Sequence, residues 1–333
     1  MYKFKAVAIA AGLAAASAFA TSTASAGELS LAYFMGPKHP MNKGVMAPFG
    51  DKLAELSGGK LTIKQFPGGA LNKVPPKQYS ILLSGVADIV FALPGFTADV
   101  FPKTNVIGMP GVCSSAVTCT EALQRVRGEI EQEYNAKVIA IWSNAPPVLI
   151  TKDKPVRTLE DLEGLKLRVT SKASVPIVEA LGATAVAQPI TVVNQNLANG
   201  VIDGILVDPS AIGSFKLHEP ANYVTTWFPG SGSAFVLLMN KDVYNGLTDE
   251  EKGWVDAAAS TELSTGAGSA YQKSSDRGFK IAADAGNEMI EVSAAEKARW
   301  QARIDTVMAN ISKNPVGDST IGQMIAKMTG KGS

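Results

Sequence analysis

Thr158-Leu-Glu-Asp-Leu-Glu-Gly-Leu-Lys-Leu-Arg-Val169 is the stretch on which the fold turns. Thr158 to Glu163 reads as a capped turn. Glu160 and Asp161 sit where negative charge complements a helix N-terminus. After Gly164 the chain alternates: Leu165, Leu167 and Val169 share one face of a strand reaching Thr170, with Lys166 and Arg168 on the other. A cap, a turn and a half-apolar strand in twelve residues are the start of an α/β unit. Downstream the alternation repeats, with a helix over 174–181, a strand over 184–188, a helix over 191–199 and a strand over 201–207.

Upstream the rhythm is the same. Strands are expected over 28–34, 61–66, 87–93 and 138–142, and helices from Val45 to Leu56, over 75–84 and over 121–134. This is an α/β pattern with parallel strands. A second unit starts after Pro146-Pro147, and the apolar strand Ala234 to Asn240 returns to the first. The expected division is 27–148 plus 234–270 for one lobe and 149–233 plus 271–333 for the other. Thr248-Asp-Glu-Glu251 is a capping box opening a helix-compatible stretch to about Asn287, despite several glycines. At 1.5 Å per residue such a helix runs about 60 Å, enough to brace both lobes. A last helix is expected over 293–308.

The first 26 residues read as a cleavable secretory signal: Lys3 and Lys5, an apolar run from Ala6 to Ala20, and Ala24-Ser25-Ala26 as the cleavage site. Export to the periplasm, with cleavage near Ala26, is therefore expected. Removing those two lysines from 31 Lys+Arg leaves 29 cations against 30 Asp+Glu. A balance near −1 argues against nucleic acid as the main partner, which needs clustered surplus cations. Cys113 and Cys119 are the only cysteines. In an oxidising compartment such a close pair reads as a local disulfide that staples a loop; two thiols without neighbouring His fall short of a zinc site.

Catalytic chemistry has little to stand on. His39 and His218 are the only histidines, and no nucleophile elbow, zinc-protease motif or phosphate-binding loop is present. Pro229-Gly-Ser-Gly232 lacks the Lys and helix of a phosphate cradle. No enzyme activity, cofactor or metal is expected. Arg168, at the carboxyl end of a parallel strand, points to the crevice where α/β sheets bind ligands, and its fork suits a carboxylate. The residues alone leave two readings open, a carboxylate clamp or a solvated surface salt bridge.

The order Thr158–Val169, then Glu179-Ala-Leu-Gly-Ala-Thr184, Gly200-Val-Ile-Asp-Gly204, Phe235-Val-Leu-Leu-Met-Asn-Lys241 and Leu247-Thr-Asp-Glu-Glu-Lys252 resembles the substrate-binding subunits of tripartite ATP-independent periplasmic (TRAP) transporters, the DctP family. Gly68-Gly-Ala-Leu71 and Gly85-Val-Ala-Asp88 extend the likeness over nearly the whole mature chain. The resemblance implies a two-lobed solute-binding fold with the ligand cleft between the lobes, a long helix spanning both, and delivery of a carboxylate to TRAP permease subunits by a monomeric receptor. In the family, the Arg matching Arg168 holds the ligand carboxylate. Ile190 stands where an aromatic wall is usual, and Ile205-Leu-Val-Asp-Pro209 replaces a Q-E-N-P pattern, leaving either Val207 or Asp208 in place of an amide ligand. Polar positions of sialate-binding members fall in Pro146-Pro-Val-Leu149 and Phe91-Ala-Leu-Pro94 here, so a monocarboxylate with an apolar or aromatic body is favoured. The candidate site is Arg168, Asp208, Ile190, Phe34, Leu93, Asn144, Trp142, Phe235 and Trp227, with Phe91 as a further wall. The alternative readings are a receptor that presents ligand to a sensor kinase and, more remotely, an exported hydrolase or isomerase.

Overall fold

The computed structural model describes residues 27–331; the leader read as a signal lies outside them. Two sheets form the frame. The first has the strand order β2-β1-β3-β10-β4, from β1 (Gly27–Ala32), β2 (Leu61–Phe66), β3 (Ile89–Ala92), β4 (Ala136–Ser143) and β10 (Ala234–Asn240). The second has the order β11-β9-β5-β8-β6-β7, from β5 (Val148–Thr151), β6 (Lys166–Val169), β7 (Thr184–Ala187), β8 (Gly204–Val207), β9 (Tyr223–Thr225) and β11 (Glu288–Ile290).

The α/β class holds, but neither sheet is purely parallel. β10 runs antiparallel to both β3 and β4, and β5 antiparallel to β8 and β9. These are the strands that carry the chain between the sheets. A chain that leaves one sheet after β4 and re-enters it as β10 can insert that strand in either direction. Every residue of β10 is buried, consistent with a strand covered on both faces.

Thr248 caps the next helix as its sequence predicts: its side chain accepts from the Glu251 amide, and the Glu251 carboxylate accepts from the Thr248 amide. The single helix expected as far as Asn287 is bent. Asp249–Ala258 stops at Ala259, and Ser260 caps a second helix, Thr261–Asp284, with its side chain accepting from the Leu263 amide. This long helix touches both halves because two of its glycines permit it. A Cβ at Gly268 would sit 2.3 Å from Thr120 Oγ1 on the first lobe, and one at Gly278 would sit 1.9 Å from the Pro209 carbonyl oxygen on the second.

Ala294–Ile311 packs against the second sheet, burying Trp300 and Ile304. The last helix, Ile321–Thr329, instead crosses back. Met324 and Met328 join the core beneath the first sheet, and Arg125 donates to the Met328 carbonyl at 2.9 Å. Its buried face is methionine on a nine-residue helix, which fits whichever apolar surface the preceding turn presents. Among the described residues no helix is long and apolar enough to cross a membrane, and no cluster of His, Cys, Asp and Glu could hold a metal ion.

Candidate functional site

Strand ends build the site. β6 lies parallel to β7 and β8, so Arg168 near the end of β6 and Asp208 just past β8 emerge on the same rim. Asn144 follows β4 at the chain's first exit from the first sheet, and Ser233 precedes β10 at its return. The long helix contributes Tyr271, and the loop after β1 contributes Phe34 and His39.

Arg168 is 1% exposed. Its Nε donates to the Gln188 carbonyl at 2.9 Å, and Nη1 donates to Thr170 Oγ1 at 3.0 Å and the Leu206 carbonyl at 3.4 Å. All three acceptors are neutral, they fix the guanidinium plane, and Nη2 makes no hydrogen bond among the described residues. Burial pulls the guanidinium down to about 9, opposed by the Asp208 charge, so it stays a cation at neutral pH. A buried cation whose hydrogen bonds go only to neutral oxygens favours an anion arriving from solution.

Asp208 is buried but well supplied with donors. Oδ1 accepts from the Ser210 amide at 3.0 Å and from the Ser210 hydroxyl, and Oδ2 accepts from Asn144 Nδ2 at 2.8 Å. Burial pushes its carboxyl up, and these bonds pull the other way. Asn144 Oδ1 accepts from the Ser233 amide at 2.7 Å, so one side chain links both crossings to the second sheet.

Around these polar groups the walls are apolar. Phe34, Phe91, Leu93, Phe96, Ile190, Val207, Phe215 and Phe235 line a cleft of about 460 Å³. The rings of Phe91 and Phe235 are 5.5 Å apart, and Phe235 lies 4.9 Å from Tyr271. A second compartment of about 570 Å³ shares Asn144, Asp208 and Ser233 with the first and is lined also by Gly108, Ser174 and Gly230 to Gly232.

Of the residues singled out from sequence, Arg168, Asp208, Ile190, Phe34, Leu93, Asn144 and Phe235 meet in this cleft. Val207 and Asp208 both face it. Trp142 and Trp227 are not on its walls. Trp142 is fully buried one layer behind, stacked at 6.2 Å on Phe235, so it supports the wall. Trp227 leaves β9 on the outer side, where its ring lies 5.7 Å from Trp300 and beneath the Lys297 ammonium. Met35, His39, Phe96, Thr170, Ser210, Ala211, Phe215, Ser233 and Tyr271 complete the lining, and no sequence motif marks them as ligand contacts. The Cys113–Cys119 disulfide is formed, as their spacing suggests.

A profile described as "Bacterial extracellular solute-binding protein, family 7", DctP, matches residues 31–314. The chain belongs to that family. DctP-family TRAP binding proteins are periplasmic receptors, not enzymes; they bind small-molecule ligands and work with a TRAP permease. The chain is 24% identical to the C4-dicarboxylate-binding periplasmic protein DctP of Rhodobacter capsulatus, over 90% of each. Among solved structures, it is similar to a marine metagenome TRAP solute-binding protein specific for aromatic acid ligands, bound to metahydroxyphenylacetate. That likeness has a TM-score of 0.84 and 28% identity and covers 91% of this chain and 98% of the other. A TRAP solute-binding protein from Rhodoferax ferrireducens T118, solved with copurified benzoate, shares the fold at a TM-score of 0.83 and 24% identity, covering 92% of this chain and 97% of that one.

Proposed function

We propose that this DctP-family protein is a monomeric receptor for a monocarboxylate with an aromatic or apolar body, exported to the periplasm after cleavage near Ala26. The observation that carries the ligand class is Arg168: a buried cation, held by three neutral acceptors, in a cleft whose walls include five phenylalanines. The carboxylate pairs with the free edge of the guanidinium. The ring or alkyl body fills the space between Phe34, Phe91 and Phe235. Ile190 and Val207 offer no hydrogen bonds to a polyhydroxylated sugar acid, whose hydroxyls would lose water without replacement.

Closure completes the mechanism. The lobe of 27–148 with 234–270 moves against that of 149–233 with the C-terminal remainder of the chain, about the crossings near Asn144 and Ser233, and expelled water strengthens the ion pair. The closed receptor then docks on the permease. Calorimetry with benzoate, phenylacetate and galactonate on wild type, Arg168→Ala and Arg168→Lys tests the reading. A charged hydrogen-bonded contact is worth about 1.5–3 kcal/mol, so Arg168→Ala should weaken benzoate roughly 10- to 150-fold. Arg168→Lys should recover only part, because an ammonium lacks the planar fork. Unchanged affinity in both variants, or tighter binding of galactonate than of benzoate, overturns it.

A further inference from the structure

Two polar groups in the cleft are left over once the carboxylate site is accounted for. Tyr271 is 3% exposed and lines the cleft from the long helix. Burial raises its hydroxyl well above the usual range and the Asp208 charge raises it further, with no hydrogen bond contributing. His39 lies beside it, ring centroids 6.3 Å apart and nearly perpendicular. The Met41 amide donates to His39 Nδ1 at 3.3 Å, which places the ring proton on Nε2. Burial pulls the imidazole down to about 4, so at neutral pH it is an uncharged donor.

His39 and Phe215, 6.1 Å apart, also border an outer pocket formed by Met35 to His39 and Gly213 to Phe215. His39 therefore stands between the aromatic cleft and the outer pocket, with Tyr271 buried beside it. Such a pair sets three requirements on any ligand atom that meets it. The atom must accept from His39 Nε2. It must exchange a hydrogen bond with a tyrosine hydroxyl that both donates and accepts. It must also be uncharged, since the pair supplies no cation and the Asp208 carboxylate already acts on Tyr271.

We propose that His39 and Tyr271 form a specificity subsite for a neutral hydroxyl on the ligand body, making hydroxylated aromatic monocarboxylates preferred over unsubstituted acids and over dicarboxylates. This rests on the Arg168 clamp and adds the chemistry of the ligand's other end. The subsite discriminates because a ligand without the hydroxyl leaves the Tyr271 oxygen desolvated and unpaired in the closed cleft, and sites with buried polar groups reject such analogues more strongly than apolar pockets reject extra bulk. A second carboxylate would instead face two neutral groups and a nearby anion.

The test is calorimetry with benzoate, 3- and 4-hydroxybenzoate, and the matching 1,3- and 1,4-benzenedicarboxylates. Wild type should bind the better hydroxybenzoate about tenfold tighter than benzoate, and both dicarboxylates more weakly than benzoate. Tyr271→Phe should bring the hydroxybenzoate-to-benzoate ratio to within about threefold of unity. His39→Leu should lower it, and His39→Gln, which retains a neutral donor, should restore part of it. Thermal melts establish that each variant folds. A wild-type ratio near one, a ratio unmoved by Tyr271→Phe, or a dicarboxylate that outcompetes benzoate overturns the subsite while the Arg168 clamp stands. Failure of wild type to bind any of these acids overturns both.

Discussion

Asn144 donates to the Asp208 carboxylate at 2.8 Å from the end of a strand in the opposite sheet, and its carbonyl oxygen accepts from the Ser233 amide at 2.7 Å. One amide thus ties together the first crossing of the chain, the second crossing and the ligand rim. Because the donor is buried with its acceptor, losing it exposes the desolvation cost of Asp208. Asn144→Ala is expected to lower stability by about 1–3 kcal/mol. Urea denaturation of the ligand-free protein measures it. Asn144→Asp should be worse, since it sets a second carboxylate against the first. Full stability in both variants would show that the bond contributes nothing to the frame.

The long helix offers a test of opposite signs. Gly278 lies where a Cβ would fall 1.9 Å from a backbone carbonyl oxygen, an atom that cannot swing away, whereas Gly266 on the same helix has no atom within 4 Å of its would-be Cβ. Gly278→Ala should therefore cost about 1–3 kcal/mol by overpacking. Gly266→Ala should gain about 0.5–1 kcal/mol, because the unfolded chain loses freedom and the helix loses a weak former. Melting temperatures moving in the same direction would refute the close-approach account.

The fold is legible in the sequence where the signals are local. The cap and alternation around Leu165 to Val169 need no partner to be recognised, and the same pattern puts Arg168 on a strand end. The capping box at Thr248 is likewise local, and the bend at Ser260 stays hidden only because Ser in a helix-compatible run is neutral until its side chain is seen to cap. β5 escapes notice because Pro146-Pro147 reads as a boundary, although the four residues of the strand beyond it are all buried. The site is legible as far as its strands. Trp142 and Phe235 are indistinguishable by type, yet Phe235 faces the cleft and Trp142 stands behind it, which depends on packing across two strands. Tyr271 carries no signal, since one tyrosine on an amphipathic helix reads as core.

His39 makes stability depend on pH with a definite sign. Its imidazole lies at about 4 in the folded protein against 6.5 when exposed. Between those values the unfolded chain binds a proton that the folded one refuses, so this group's contribution to stability falls as pH drops from 6.5 toward 4. Asp208 opposes it: its folded-state carboxyl is raised above 3.8, so the folded protein holds that proton more readily and gains as pH falls. Comparing wild type with His39→Gln isolates the first effect. The difference in unfolding free energy should change by about 1–2 kcal/mol between pH 7 and pH 4, allowing for the exposed ring edge. Parallel pH profiles would mean that His39 is as accessible in the native state as in the unfolded one.

The Cys113–Cys119 bridge closes a short loop in which Ser115 and Thr118 already form a reciprocal capping box. Loop entropy alone assigns such a bridge about 2 kcal/mol. The capping box holds part of the same loop without it, so the measured loss should fall below that figure. Cys119 is fully buried, and its sulfur lies 3.0 Å from where a Cβ at Gly232 would stand, so the pair is better replaced by Ala than by Ser, whose hydroxyl would be buried unpaired. Cys113 borders a separate groove, lined also by Pro146, Trp227 and Gln272, and not the ligand cleft. Cys113→Ala/Cys119→Ala should accordingly melt lower by an amount equivalent to about 1–2 kcal/mol, with the Kd for benzoate within about twofold of wild type. A large loss of affinity without a matching loss of stability would instead tie this loop, through Gly232 and Ser233, to the setting of Asn144.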